Sequence, residues 1–396
     1  MEDVVPSNIV TPGDARTGLS RRLKVALVTG SYNYIADGVA LTLNRMVGFL
    51  ESRGVEVLVF APVGKISAFA HNGEVVPVFS IAAPGRAEYR AALGLPRTAR
   101  DRLLAFNPDI LHIATPDLLG HAAQKLGQKM GWPIVASYHT RFETYLKYYG
   151  LGGLTPVLTG IVREFYDACL EIYVPSPSMI EVLRADGVKA DIKLWPRGVD
   201  TARFSPEKRS QAWRARHGFG PDEVVVAFVS RLVKEKRVAE VAAVLARLRA
   251  NGVAHRALFV GDGPERAFLV QQVPGAIFEG FLSGEALPMA YASADVFLFP
   301  SDTETFGNVT LEAMASGLPA ICANATGSRS LVEAGVTGFL AEVGDDGALY
   351  DAVAALVTDP VLRRAMGEAG RARSLTYSWD AAMGGLLARY EALAAA

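Results

Sequence analysis

Cysteine is scarce. The 396-residue chain has two, Cys169 and Cys322, far apart and in unrelated contexts. That excludes a disulfide scaffold or a zinc-binding set and fits a reducing compartment, so a cytoplasmic location is expected. Strong net charge is missing too. Forty Lys and Arg stand against 41 Asp and Glu, a formal balance of −1, which argues against nucleic acid as a partner. No run approaches the ~18 uninterrupted apolar residues of a membrane span. Residues 1–20 lack the apolar stretch of a signal peptide and are expected to form a flexible tail. The six His form no metal-ligand series. Gly30-Ser31-Tyr32-Asn33-Tyr34 lacks the G-x-G-x-x-G fingerprint of a nicotinamide dehydrogenase.

What is present is apolar material in a regular rhythm. Half of the residues are apolar, and the length is comfortable for two cores rather than one. Residues 24–29 (KVALVT) read as a short buried strand, 30–38 as a loop, 39–53 as an apolar-periodic helix closed by Gly54, and 55–61 as a second strand. That is βαβ spacing, which predicts parallel strands and a right-handed crossover. Further strands are expected at 110–113, 134–138 and 172–174, with a helix at 118–130. After Pro206 a second series begins, with strands at 224–229, 255–260, 277–279, 296–299 and 320–323 and helices between them. The strands are continuous apolar runs, as in a sheet covered on both faces. The expected fold class is α/β, with two doubly wound Rossmann-like domains facing across a cleft. They span residues 21–200 and 201–377, and an amphipathic helix follows in 378–396. Ligands of such sheets bind outside the carboxyl ends of the strands.

Three loops at such strand ends carry candidate chemistry. Ser230 to Arg237 (SRLVKEKR) places four cations in eight residues ahead of a helix. Arg231 can fork two donors onto phosphate oxygens, Lys236 supplies a point charge, and the helix start adds free N–H groups. A solvated helix start with charge pairs reads the same way. Gly261-Asp262-Gly263-Pro264 is a tight turn in which Gly261 would let a ligand approach the backbone. Ser301 to Pro319 (SDTETFGNVTLEAMASGLP) places Glu304 in a loop and Glu312 eight positions on, inside a helix. Carboxylates accept paired sugar hydroxyls, and the helix start at Gly307 and Asn308 offers N–H groups to a phosphate. Asp302 and Glu304 also resemble a metal-binding pair, although the neighbouring cations already compensate charge. His139 ends the strand at 134–138, where an imidazole can orient a sugar hydroxyl or simply fill a core.

In Glu304 to Pro319 with its E-x7-E spacing, in Ser230 to Arg237 and in Arg197 to Pro206, the chain resembles the family 4 retaining glycosyltransferases of GT-B fold. The likeness extends over about residues 24–395 and is strongest to bacterial GDP-mannose-dependent mannosyltransferases and the sulfoquinovosyl and glucuronosyl lipid transferases. The resemblance implies that Arg231 and Lys236 clamp a donor diphosphate, that Glu304 contacts the sugar and that Glu312 contacts the ribose. It further implies that the backbone of Phe306, Gly307, Asn308 and Val309 lies against sugar and phosphate, and that Gly38 approaches the phosphate from the first domain. Asp37 stands before Gly38 where the family often has a second glycine. His139 matches the histidine near the reacting centre, and the last helix would cross back onto the first domain. The implied reaction moves a hexose from GDP-mannose or a UDP-hexose or UDP-glucuronate to a lipid or lipid-linked hydroxyl, with no metal or other cofactor. A nucleotide-sugar epimerase or hydrolase of the same fold, and a non-catalytic nucleotide-sugar-binding protein, are the alternatives.

Two readings concern specificity. Residues 142–166 mix Phe142, Tyr145, Tyr148, Tyr149, Phe165 and Tyr166 with Lys147 and Arg163. Such a mixture suits peripheral contact with an anionic membrane at the inner face of the cell membrane, and equally suits ordinary helix packing. Arg329, in the loop Asn324 to Ser330, is placed to pair with a uronic acid carboxylate or to remain a solvent-exposed cation.

Overall fold

The computed structural model describes residues 22–35, 37–83, 86–141, 153 and 155–396. Two parallel sheets dominate it. The first holds β1 (Lys24–Val28), β2 (Glu56–Pro62), β3 (Glu74–Val78), β6 (Ile110–Ile113), β7 (Ile134–Ser137), β8 (Glu171–Val174) and β9 (Asp191–Leu194) in the order β3-β2-β1-β6-β7-β8-β9. The second holds β10 (Val225–Val229), β11 (Arg256–Val260), β12 (Ile277–Gly280), β13 (Val296–Phe299), β14 (Ala320–Ala323) and β15 (Gly338–Ala341) in the order β12-β11-β10-β13-β14-β15. An antiparallel hairpin of β4 (Ser80–Ala83) and β5 (Arg86–Ala92) is attached to the first domain. All ladders within the two large sheets are parallel. The α/β class with two Rossmann-like domains of GT-B architecture is therefore observed.

The reason lies in the central strands. Every residue of β10 is buried, as are four of the five in β1, so both faces must be covered by helices. Edge strands are harder to see in the sequence. Sheet-edge β3 (EVVPV) has one buried residue and carries a proline, and β9 (DIKL) at the other edge has one. Neither forms a continuous apolar run, because an edge keeps one side in water.

Strand order reverses beside β1, which lies between β2 and β6, and beside β10, which lies between β11 and β13. These are the switch points at which open α/β sheets bind ligands. The loop after β1 leads into the helix Gly38–Ser52, whose start is capped by Asp37, an Oδ1 of which accepts the Ala40 N–H at 2.8 Å. The loop after β10 is the four-cation segment.

The last helix, Trp379–Ala394, buries Ala382, Met383, Leu386 and Tyr390 along one face. They join Leu43, Met46, Val47 and Leu50 of the first helix in one core cluster. Each fully buried large side chain there contributes roughly 1.5–3 kcal/mol. The chain thus crosses between domains twice, and the crossings touch. A Cβ on Gly198 would lie 2.3 Å from the Trp379 backbone nitrogen, and the Val199 N–H donates to the Tyr377 carbonyl at 3.1 Å. Arg371 donates to the carbonyls of Phe204 at 2.8 Å and Thr201 at 3.0 Å.

Candidate active site

In the loop after β10, Arg231 is partly exposed, with its guanidinium 3.9 Å from Glu235. Lys234–Lys236 form one turn of 3-10 helix, and Arg237 ends it at φ 55° before the helix Val238–Ala250 begins. The Gly261 turn packs directly behind this loop. With φ 129°, Gly261 sits where a Cβ would fall 1.9 Å from the Ser230 carbonyl oxygen. Glycine there is demanded by the approach of two protein backbones, so Gly261 supports the cation loop in the conformation described.

The acidic loop follows β13. The Lys236 ammonium pairs with Glu304, which also accepts the Ser301 hydroxyl at 3.1 Å. The Glu304 carbonyl takes the Gly327 N–H at 2.9 Å and the Thr326 hydroxyl at 2.7 Å. Cation and acid, 68 positions apart in sequence, are thereby held together, and the loop is pinned from a second side. The Phe306 ring is buried in the second core, 5.9 Å edge-on from Tyr377, so only its backbone is left to face a ligand. Gly307 (φ 96°) opens the helix Asn308–Ala315 without a side-chain cap, which leaves its first N–H groups directed outward. The Asn308 Oδ1 is buried with no hydrogen-bond partner among the described residues. Val309 is half-buried at the same helix start.

Across the cleft, Gly38 begins the first domain's helix, and a Cβ on it would lie 3.5 Å from the Asn308 Nδ2. Two helix N-termini therefore converge, one from each domain, and their aligned peptide dipoles favour an anion between them. Asp37 feels the attraction of Arg231, yet burial dominates and raises its carboxyl above the ordinary range.

Glu312 lies one turn into the helix and accepts the Tyr291 hydroxyl at 3.1 Å. Burial pushes its carboxyl up to about 7, against the lowering effects of Tyr291 and of Arg203 in the crossover. Asp302 lies 3.8 Å from Arg237. Among the described residues no group of three or more His, Cys, Asp or Glu is gathered where it would hold a metal.

His139 departs from the expectation that its ring meets a sugar hydroxyl. Its Nε2 lies 2.8 Å from Ser137 Oγ and its Nδ1 3.0 Å from the Arg197 guanidinium. Both ring nitrogens are engaged inside the protein, so the group turned toward the donor loop is its backbone carbonyl, which accepts the Thr305 hydroxyl at 2.8 Å.

The cation loop, the E-x7-E helix and the paired crossovers form one candidate site at the switch points of two doubly wound sheets. Residues 36–203 match the family model described as Glycosyltransferase Family 4, and residues 209–373 match the model described as Glycosyl transferases group 1. The chain is 36% identical to a GDP-mannose-dependent alpha-mannosyltransferase of Mycobacterium tuberculosis, over 94% of this chain and 97% of that protein. The chain belongs to Glycosyltransferase Family 4. As a family 4 member it is a sugar-transferring enzyme. It is also 32% identical to the sulfoquinovosyl transferase SQD2 of Arabidopsis thaliana, over 91% of this chain and 72% of that one. Among solved structures, sucrose-phosphate synthase from Thermosynechococcus elongatus superimposes with a TM-score of 0.78 at 22% identity, covering 94% of this chain and all of that one. That likeness shows the shared GT-B fold.

Several neighbours in this family 4 site escaped the sequence reading. Arg197, His112 and Ser137 surround His139, Tyr291 and Arg203 act on Glu312, and Ser301 holds Glu304. Their sequence surroundings give no sign of these roles, because most of the contacts join residues of different elements. Phe165 and Tyr166 are core residues, each 2% exposed and packed on one another, because they fall on the inward face of the helix Thr155–Asp167. Residues 142–150 lie outside the described residues. Arg329 turns to Glu181 of the first domain, at 2.7 Å, because the helices Thr326–Leu331 and Pro177–Ala185 pack together.

Proposed function

We propose that this enzyme transfers a hexosyl group from a nucleoside diphosphate sugar to a hydroxyl of a lipid or lipid-linked acceptor with retention of anomeric configuration. The observation that carries it is the junction of Arg231, Lys236 and Glu304 opposite the converging helix starts of Gly38 and Asn308. The cations and free N–H groups suit a diphosphate, and Glu304 suits sugar hydroxyls. The relatives named for GDP-mannose favour GDP-mannose as donor, with a UDP-hexose or UDP-glucuronate next. Arg329 stands in a solvent-exposed pair with Glu181, and a uronic acid carboxylate would have to displace that partner.

In the reaction, the bond from the anomeric carbon to the departing phosphate oxygen breaks, and its electron pair stays on the diphosphate. Arg231 and Lys236 gain interaction as that charge grows, which is differential stabilisation of the transition state. The acceptor oxygen bonds to the anomeric carbon on the same face, and its proton passes to the departing phosphate oxygen. The cations supply the charge compensation, so no metal is required. His139 does not attack; its part is the backbone carbonyl that holds Thr305 of the donor loop. A glycosyl ester trapped on Asp37, Asp302 or Glu304 would replace this course with a double displacement.

Lipid acceptors are supported by relatives whose names specify lipid products, among them alpha-monoglucosyldiacylglycerol synthases. Among the described residues no helix is long and apolar enough to cross a membrane. The helix Thr155–Asp167 exposes Val157 and Ile161 beside Arg163, which suits peripheral contact with the inner face of the cell membrane. The deciding experiment incubates the enzyme with a donor panel and extracted membrane lipids and weighs the products. A new glycolipid from one donor supports the proposal. Free sugar or an isomerised donor, with no lipid product, would establish the hydrolase or epimerase instead.

A further inference from the structure

The surroundings of His139 form a single hydrogen-bonded chain that crosses the first domain. Arg197 follows β9, is 3% exposed, and has no carboxylate within ion-pair distance among the described residues. It donates to the Trp195 carbonyl at 2.9 Å and to His139 Nδ1 at 3.0 Å, with its guanidinium 4.3 Å over the Trp195 ring. A guanidinium has donors only. His139 Nδ1 must therefore accept, and the ring proton sits on Nε2, where it donates to Ser137 Oγ at 2.8 Å. Having accepted there, the Ser137 hydroxyl donates onward to His112 Nε2 at 2.9 Å. His112 then carries its proton on Nδ1 and donates it to the Tyr390 hydroxyl, whose own proton points to Met46 Sδ at 3.8 Å. Every link has one donor and one acceptor, with the direction set by Arg197 at the His139 end and by the Tyr390 hydroxyl, which donates to Met46, at the His112 end.

The charges agree with this order. Burial first, and the Arg197 charge second, hold both imidazoles below their ordinary range, with His112 at about 3. Among the described residues, the titratable and charged groups facing His139 are Arg197 from the crossover and His112 from β6. Behind His112 stand Tyr173 of β8 and Tyr390 of the last helix, at ring distances of 5.9 Å each. On the cleft side, the Thr305 hydroxyl donates to the His139 carbonyl and the Thr305 carbonyl accepts the Ser176 hydroxyl at 2.8 Å, while its neighbour Glu304 is already paired with Lys236.

We propose that Arg197, His112 and Tyr390 are positioning residues of the transfer reaction. They lock His139 as one neutral tautomer with its ring turned inward, so that its carbonyl docks the donor-sugar loop through Thr305. The last helix thereby acts on the reacting centre as well as on the core. This inference rests on the proposed transfer, but its first test needs no turnover.

Long-range proton–nitrogen correlation on the full-length protein labelled in histidine reads the tautomers. The expected result is a neutral His139 with its proton on Nε2 from pH 6 to 8. A proton on Nδ1, or a cationic ring at pH 7, overturns the proposal. Arg197→Met keeps an apolar body of similar length. It should mix the His139 tautomers, raise the titration of that ring toward its ordinary range, and add an acidic limb to kcat at saturating donor. The fall in kcat should reach up to about a hundredfold, the cost of ~1 Å of misplacement. Tyr390→Phe keeps the packing and should move His112 to its other tautomer, with a smaller loss of kcat and no new limb. A folded Arg197→Met with unchanged tautomer and pH profile overturns the assignment even if its melting temperature falls. Should that variant not fold, the wild-type spectrum and Tyr390→Phe still decide.

Discussion

Gly38 and Asn308 begin helices in different domains, yet the space for a Cβ on Gly38 ends 3.5 Å from the Asn308 side-chain nitrogen. That is ordinary van der Waals contact, so Gly38→Ala is expected to retain donor affinity. Gly38→Val adds branches that the gap has no room for and should separate the two helix starts. We expect its donor KM to rise tenfold or more, about 1.4 kcal/mol, with the melting temperature little changed. Steady-state kinetics on the two variants checks the contrast, and equal donor KM values would refute the proposed convergence on the diphosphate.

Arg231→Ala and Lys236→Ala each remove a charge that the departing diphosphate needs. Each should cost about 2–4 kcal/mol in the barrier, or roughly 30- to 1000-fold in kcat/KM. Lys236→Ala also leaves Glu304 without its ammonium partner. Its loss should therefore be partly recovered in Lys236→Ala combined with Glu304→Gln, as measured by donor binding.

Glu312 makes a pH prediction with a definite sign. Its carboxyl is raised from 4.5 to about 7 in the folded protein. Between those values the unfolded chain has already lost the proton that the folded protein keeps. Stability from this group therefore falls as pH rises from below 5 through 7, by roughly 3 kcal/mol in full. Glu312→Gln should melt higher than wild type at pH 8 and equal it near pH 4. Donor KM in the wild type should fall as pH rises through 7, since the ionised carboxylate is the better acceptor for ribose hydroxyls. Glu312→Gln should lack that dependence. Thermal melts and donor kinetics across the range read both.

Leu386, 3% exposed in the last helix, belongs to the first domain's core. Leu386→Ala should cost about 2–5 kcal/mol and lower the melting temperature, although the residue lies far along the chain from every strand of that domain. A neutral result in a thermal melt would mean that the helix does not complete this core.

The Rossmann-like rhythm was legible because the central strands are buried on both faces and so read as unbroken apolar runs. β1 and β10 show this directly, whereas β3 and β9 went unseen because edge strands lack it. Arg231, Lys236, Glu304 and Glu312 stood out because cations crowd one strand end and two acids lie eight positions apart in one loop-and-helix segment. His112 did not, since a histidine inside an apolar strand carries no local sign of what its ring touches.

The sequence by itself determined the two-domain parallel architecture, the family and the two short segments that carry charge to the cleft. These follow from local periodicity and from residues close together in the chain. Tertiary structure alone decided that Lys236 meets Glu304, that Arg329 pairs with Glu181 on the exposed surface, and that the His139 ring faces inward. Each depends on which distant groups burial forces together, and a buried polar group takes whichever partner the packing brings within hydrogen-bonding reach.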